Sequence, residues 1–268
     1  MCTEKLRRFW DQMAPAHASG ERQKSKFFQL VRESIRPYLE SVLPQPEGSL
    51  ILEAGCGVGV WVDELVPRGY RMVLSDLSPE MIRYAREKVA RMDLDADTVC
   101  CRVLDVCDMS PLPDAGFDVV LALGGPLTLC CDDKKAAAEL CRVTRPGGYV
   151  LCDASNRYRA AFDAIHRKDW SRFPQIMEGG TFVSPKSGLT HNLHGPEELA
   201  DLFRVHGMEV VRMAGICPFF NFPPQQDLAE LLEDERNFEM MLDVARRHAE
   251  DPSILGLSGR LLIVARKI

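Results

Sequence analysis

The sequence predicts an α/β fold in which a mostly parallel sheet is covered by helices on both faces. Three observations predict it. Between Ser49 and Asp153, short apolar runs alternate with segments of helical periodicity. The runs are apolar along nearly their whole length, as strands buried on both sides must be. The first run ends in a cluster of glycines that leads into a helix-patterned stretch. Such alternation with short connections is the pattern of a parallel sheet.

The elements follow in order. Phe27, Phe28, Leu30, Val31, Ile35, Tyr38 and Leu39 recur at helical spacing, and Pro44 and Pro46 end that segment. Ser49 to Ala54 is a buried strand, Val58 to Val66 a helix, and Arg71 to Ser75 a second strand. Ser78-Pro79-Glu80 starts a helix: a serine cap, a proline at the first helical position and an acid in the first turn. That helix runs to about Arg91. Thr98 to Leu104 and Phe117 to Leu123 are further strands, and Asp132 or Asp133 caps a helix reaching Val143. Pro146-Gly147-Gly148 is a turn before a fifth strand, Tyr149 to Asp153. Residues 154 to 195 show no clean period. Glu197 to Val205 reads as a helix, Met208 to Met213 as a strand, Leu228 to Arg247 as one long helix and Leu261 to Ala265 as a last strand. The two late strands fit an antiparallel pair at the sheet edge.

Size and composition agree. A chain of 268 residues, 46% hydrophobic and 27% charged, suffices for one α/β domain with insertions but falls short of two full domains. The net charge of -6 argues against nucleic acid, which selects a basic face. The charged start MCTEKLRRFW lacks the apolar core of a signal peptide. The longest uncharged stretch, Val119 to Cys131, is too short to cross a membrane. A cytoplasmic location without a membrane partner is expected, and a homodimer is the one assembly considered. The ten cysteines form no double CxxC pattern, so no metal is expected. Several lie in apolar runs and read as small buried hydrophobes in a reducing compartment. The adjacent pairs Cys100–Cys101 and Cys130–Cys131 keep a thiol role open.

The glycine cluster carries the chemistry. Glu53-Ala54-Gly55-Cys56-Gly57-Val58-Gly59 follows a strand, and glycines there allow a sharp turn and close approach to a ligand. Asp76, 17 residues beyond Gly59, closes the second strand, where a carboxylate can accept from the hydroxyls of a ribose. This is a nucleoside-binding arrangement. A dinucleotide site needs G-x-G-x-x-G, and Val60 stands at the third position of that fingerprint. The acid Glu53 suits a ligand carrying an ammonium and a sulfonium better than a pyrophosphate.

ILEAGCGVG resembles motif I of the class I S-adenosylmethionine (SAM)-dependent methyltransferases. LSDLSPEMIRYAREK, VLDVCDMSPLPDAGFDVVLALGGPL and LCRVTRPGGYVL resemble the segments that follow it in that family, in the same order. The resemblance covers about 105 residues. It implies a Rossmann-like, seven-stranded sheet with an antiparallel last strand. It also implies SAM as cofactor, with Glu53, Gly55, Cys56 and Gly57 at its methionine part. Asp76 would hold the ribose, with Leu77 and Met81 beside the adenine. Asp105 and Val106 would meet the adenine edge, and Leu123 with Gly124 would line the methyl-transfer mouth.

Methyl transfer needs alignment and exclusion of water more than a catalytic group, because the sulfonium is already activated. A base helps only where the acceptor must lose a proton. His194 is the candidate base. Trp10, Asn156, Arg157 and His191 are candidate substrate residues, with Phe9 to Ala14 resembling the family's lid helix. Phe182, Phe219, Phe220 and Phe222 could wall an apolar pocket. The layout expected is a lid over 1–45, a SAM-binding core over 46–154 and a substrate cap over 155–200. The rest of the core, over 201–268, carries a helical insertion at about 215–256. The expected function is O- or N-methylation of a small molecule. A protein or RNA methyltransferase, a non-catalytic SAM-binding module and an NAD(P) oxidoreductase are the alternatives.

Overall fold

The computed structural model describes residues 2–218 and 225–268. Three helices come first: α1 (Cys2–Ala18), the short α2 (Glu21–Lys24) and α3 (Lys26–Glu40). Strand β1 (Leu50–Ala54) leads through the glycine turn to α4 (Val62–Leu65), β2 (Arg71–Asp76), α5 (Pro79–Arg91), β3 (Val99–Val103) and β4 (Phe117–Ala122). Then come α6 (Pro126–Leu129), α7 (Asp133–Val143) and β5 (Thr144–Asn156). The region expected as the cap holds α8 (Arg157–His166), α9 (Arg172–Gly179), β6 (Thr181–Val183) and β7 (Thr190–His194). The chain ends with α10 (Pro196–Arg204), β8 (Met208–Ile216), α11 (Gln225–Glu233), α12 (Glu235–His248), α13 (Pro252–Leu255) and β9 (Arg260–Lys267).

Strands β3, β2, β1, β4 and β5 lie side by side and parallel. β9 runs antiparallel against β5, and β8 antiparallel against β9. These seven strands form the expected sheet with its antiparallel last strand. The β6–β7 hairpin is an addition: beyond the last pairing with β4, β7 joins the end of β5 through Ser155–Leu193 and Asn156–His194.

Alternate residues of each central strand feed opposite faces, as the pleat requires. Ile51, Leu121 and Leu151 pack with Leu30 and Leu39 of α3, Ile82 of α5 and Met241 of α12. Leu52, Val120 and Val150 pack with Leu140 of α7 and Phe203 of α10 on the other side.

Four expectations need correction. The helix expected from Val58 is only α4, which starts at Val62, and the Val60 and Trp61 N–H groups just before it donate to the Glu53 side chain. The Pro146-Gly147-Gly148 turn is an irregularity inside β5, whose pairing with β4 shifts between Phe117 and Val119. A side chain at Gly148 would sit 2.8 Å from the Asp118 carbonyl, so only glycine passes there. The single helix expected from Leu228 is two, because the Asp234 side chain accepts the Asn237 N–H and restarts the chain as α12. The aperiodic stretch after Asp153 contains two helices and the extra hairpin.

Candidate functional site

The carboxyl ends of β1, β2 and β4 open into a cavity of about 500 Å³. That volume is within the range of about 300–1,000 Å³ typical of small-molecule sites. The turn after β1 is fastened to the neighbouring strand, since the Gly55 and Cys56 N–H groups donate to the Ser75 carbonyl at 2.7 and 2.9 Å. A Cβ at Gly55 would lie 2.4 Å from Pro126, so the glycine lets the turn close against the start of α6. Gly57 has a φ of +56° and open space where a side chain would project.

Every residue expected at the cofactor borders this cavity. Glu53, Gly55, Cys56 and Gly57 form one side of it. Asp76, Leu77 and Met81 enter from the end of β2 and the start of α5. Asp105, Val106, Leu123 and Gly124 complete the set.

Glu53 is 4% exposed, and its Oε2 has no hydrogen-bond partner. Burial pushes its pKa up to about 8, against the opposing effects of the Lys88 charge and the Trp61 and Val60 N–H groups. A buried carboxylate oxygen without a donor is costly, and a ligand ammonium would satisfy it. Asp76 accepts the Gly57 N–H and the Ser78 N–H, each at 2.9 Å, so it also braces the turn and the start of α5. Burial raises its pKa. Asp105 accepts from the Cys107 N–H at 2.9 Å, holding its own loop.

Trp10 of α1 borders the cavity. The helix is pinned by the Ser78 hydroxyl, which donates to Asp11 Oδ1 at 2.6 Å, and by a Cys2–Cys131 disulfide. The sequence does not predict that bond; the other eight cysteines are free, several of them buried as expected.

The remaining expected substrate and catalytic residues lie elsewhere. His194 is 5% exposed on β7, its Nε2 lies 2.8 Å from Asp133 Oδ2, and it does not border the cavity. It is a buried structural histidine, and the base expectation is corrected on that ground. Asn156 caps α8 by accepting the Tyr158 N–H and donates to the Leu255 and Ser258 carbonyls. Arg157 is spent on Glu198. His191 packs on Phe182 at 4.7 Å, and burial lowers its pKa. None of Asn156, Arg157, His191 and Phe182 borders the cavity. Phe219, Phe220 and Phe222 lie outside the described residues.

The cavity also takes residues that the sequence does not single out. Phe27, Phe28, Val31 and Ile35 of α3 form an apolar wall, with Arg32 among them. Arg32 is held by Glu64 at 3.0 Å and faces the Trp61 ring. Ile216 and Cys217 at the end of β8, with Gly259 and Arg260 at the start of β9, close the far side, and His17 lies at the end of α1. The helical period of α3 shows that it has an inner face, but not that this face reaches a cavity.

Fold and site together define a Rossmann-like nucleoside-binding domain with an acid at the end of each of its first two strands. Residues 51–148 match the methyltransferase domain family. That segment carries the methyltransferase domain, and the chain as a whole is similar to the class I SAM-dependent methyltransferases. It is 36% identical over 104 residues to a malonyl-[acyl-carrier protein] O-methyltransferase of Serratia marcescens, covering 39% of this chain and 37% of that one. It is 28% identical over 151 residues to a SAM-dependent Diels-Alderase of Talaromyces variabilis, covering 56% and 49%. The matches thus span less than half the length of these curated relatives. The solved structure of a SAM-dependent methyltransferase from Methanosarcina mazei superposes with a TM-score of 0.59 at 21% identity, covering 87% of this chain and 97% of that one, a likeness of fold.

Proposed function

We propose that this protein binds SAM and transfers its methyl group to an O or N atom of a small molecule, leaving S-adenosylhomocysteine. The observation that carries the reading is the unpartnered buried oxygen of Glu53 at the end of β1, in a cavity that Asp76 and Asp105 also border. Glu53 would accept from the amino group of the methionine part. Asp76 would accept from the ribose hydroxyls with the lone pairs not used by Gly57 and Ser78. Asp105 and the Val106 N–H would meet the adenine edge, with Leu77 and Met81 as its apolar bed.

The cofactor, when bound, supplies an activated methyl group. The chain's own contribution is to orient and to exclude water. Leu123 and Gly124 form the mouth, and Trp10 with the α3 wall covers it. No base is assigned: an acceptor already ionised at neutral pH needs none.

The proposed layout keeps the lid at 1–45, the core at 46–154, the cap at 155–200 and the closing part at 201–268. A cytoplasmic site is part of the same reading; eight free cysteines favour it and the Cys2–Cys131 disulfide counts against it. No helix among the described residues is long and apolar enough to cross a membrane.

Incubation with methyl-labelled SAM, a small-metabolite extract and a macromolecular extract tests the proposal. Label is expected in a small product. Label in protein or RNA, or tight binding without turnover on any fraction, would replace small-molecule methylation with one of the two other readings.

A further inference from the structure

We propose that Arg260 binds a carboxylate on the methyl acceptor, so that the preferred acceptors are apolar molecules carrying a carboxylate. The inference rests on the reading of the cavity as a methyltransferase site and extends it to the acceptor half.

Arg260 opens β9 and borders the cavity beside the mouth: a Cβ on Gly125 would lie 3.5 Å from its Nη2. It is anchored below by Asp153, at the end part of β5, which meets only this one nitrogen. Asp153 in turn accepts the Gly124 and Gly125 N–H groups, each at 3.1 Å. The guanidinium is thereby fixed in direction by the same carboxylate that fixes the mouth. Its Nε and Nη1 have no hydrogen-bond partner among the described residues, and the residue borders the cavity. A planar carboxylate matches such a fork, and a charge-assisted pair of this kind is roughly twice as strong as a neutral hydrogen bond.

The rest of the lining selects the body of the molecule and the charge of its head. Phe28, Val31, Ile35 and Ile216 give an apolar wall on the acceptor side. Arg32, the other arginine of the lining, donates to Glu64 through Nη2 and faces the Trp61 ring, and its buried Nε is turned away from solvent without a hydrogen-bond partner. Glu53, Asp76, Asp105 and Asp153 make the cavity rich in carboxylates, which disfavours a doubly charged phosphate more than a singly charged acid.

Calorimetry tests this with octanoate, 3-phenylpropanoate and their primary amides as probes, titrated into the protein with and without S-adenosylhomocysteine. The acids are expected to bind about tenfold tighter than the matching amides. Arg260→Gln is expected to remove that preference and Arg260→Lys to keep part of it, both with S-adenosylhomocysteine affinity held. Acids and amides binding alike, no acid binding to the loaded wild-type protein, or an unchanged preference in Arg260→Gln would overturn the assignment. The wild-type comparison decides even if the glutamine variant fails to fold. An acid preference without any S-adenosylhomocysteine binding would instead sink the cofactor reading and leave Arg260 as an acid site.

Discussion

Glu53 is the residue at which folding and binding pull in opposite directions. Its pKa in the folded chain is about 8, against an ordinary value of 4.5. The folded state therefore holds a proton that the unfolded state loses in this interval. Glu53's contribution to stability is full below pH 4.5 and is lost as pH rises through 8. The ligand-free protein should lose up to a few kcal/mol between these limits from this group. Urea unfolding across that range should show the loss, and Glu53→Gln should flatten it. Asp76→Ala should weaken S-adenosylhomocysteine binding by about 1–3 kcal/mol, the scale for stranding buried polar partners; unchanged affinity would remove the ribose assignment. His194→Ala should cost about 1–3 kcal/mol in unfolding, because Asp133 loses its partner, with cofactor affinity intact. All ten residues expected at the cofactor border the cavity, and they were legible as a group because they fall in continuous segments around strand ends. Arg32, Ile216 and Arg260 were not: each reaches the cavity from a distant segment, and only the packing of α3 and the two antiparallel strands brings them together.

At the scale of elements, α1 is the part most open to test. Leu6, Trp10 and His17 of this helix border the cavity, and Cys2 ties its start to Cys131 beyond α6. A cross-link over a sequence separation of 129 restricts the unfolded chain strongly. Reduction with a dithiol, or the pair Cys2→Ser with Cys131→Ser, should lower stability by about 2–4 kcal/mol. Identical thermal melts with and without reductant would show that the bond contributes nothing. The aromatics of α1 stood out in the sequence, but the cross-link left no sign, since pairing depends on where α1 lies. The break between α11 and α12 was hidden for another reason: helical periodicity continues across Asp234, and only its cap hydrogen bond reveals the restart. His194 misled because a histidine before a helix start in an aperiodic segment gives no hint of burial, and β7 carries it into the sheet.

Over the whole molecule, the parallel core was the most legible part, because strands buried on both faces write themselves as unbroken apolar runs. The β6–β7 hairpin was not, since its strands are short and only partly buried. In the proposed function the sheet acts through its carboxyl edge: there the end of β1 presents Glu53, the end of β2 presents Asp76, and Leu123 and Gly124 follow β4, all bordering the cavity. Titration calorimetry of wild type and Glu53→Gln with S-adenosylhomocysteine and with NADH tests this arrangement most directly. The wild type should bind S-adenosylhomocysteine and not NADH, and the glutamine variant should bind it about tenfold or more weakly. Binding of NADH alone, or equal affinity of both proteins for S-adenosylhomocysteine, would contradict it.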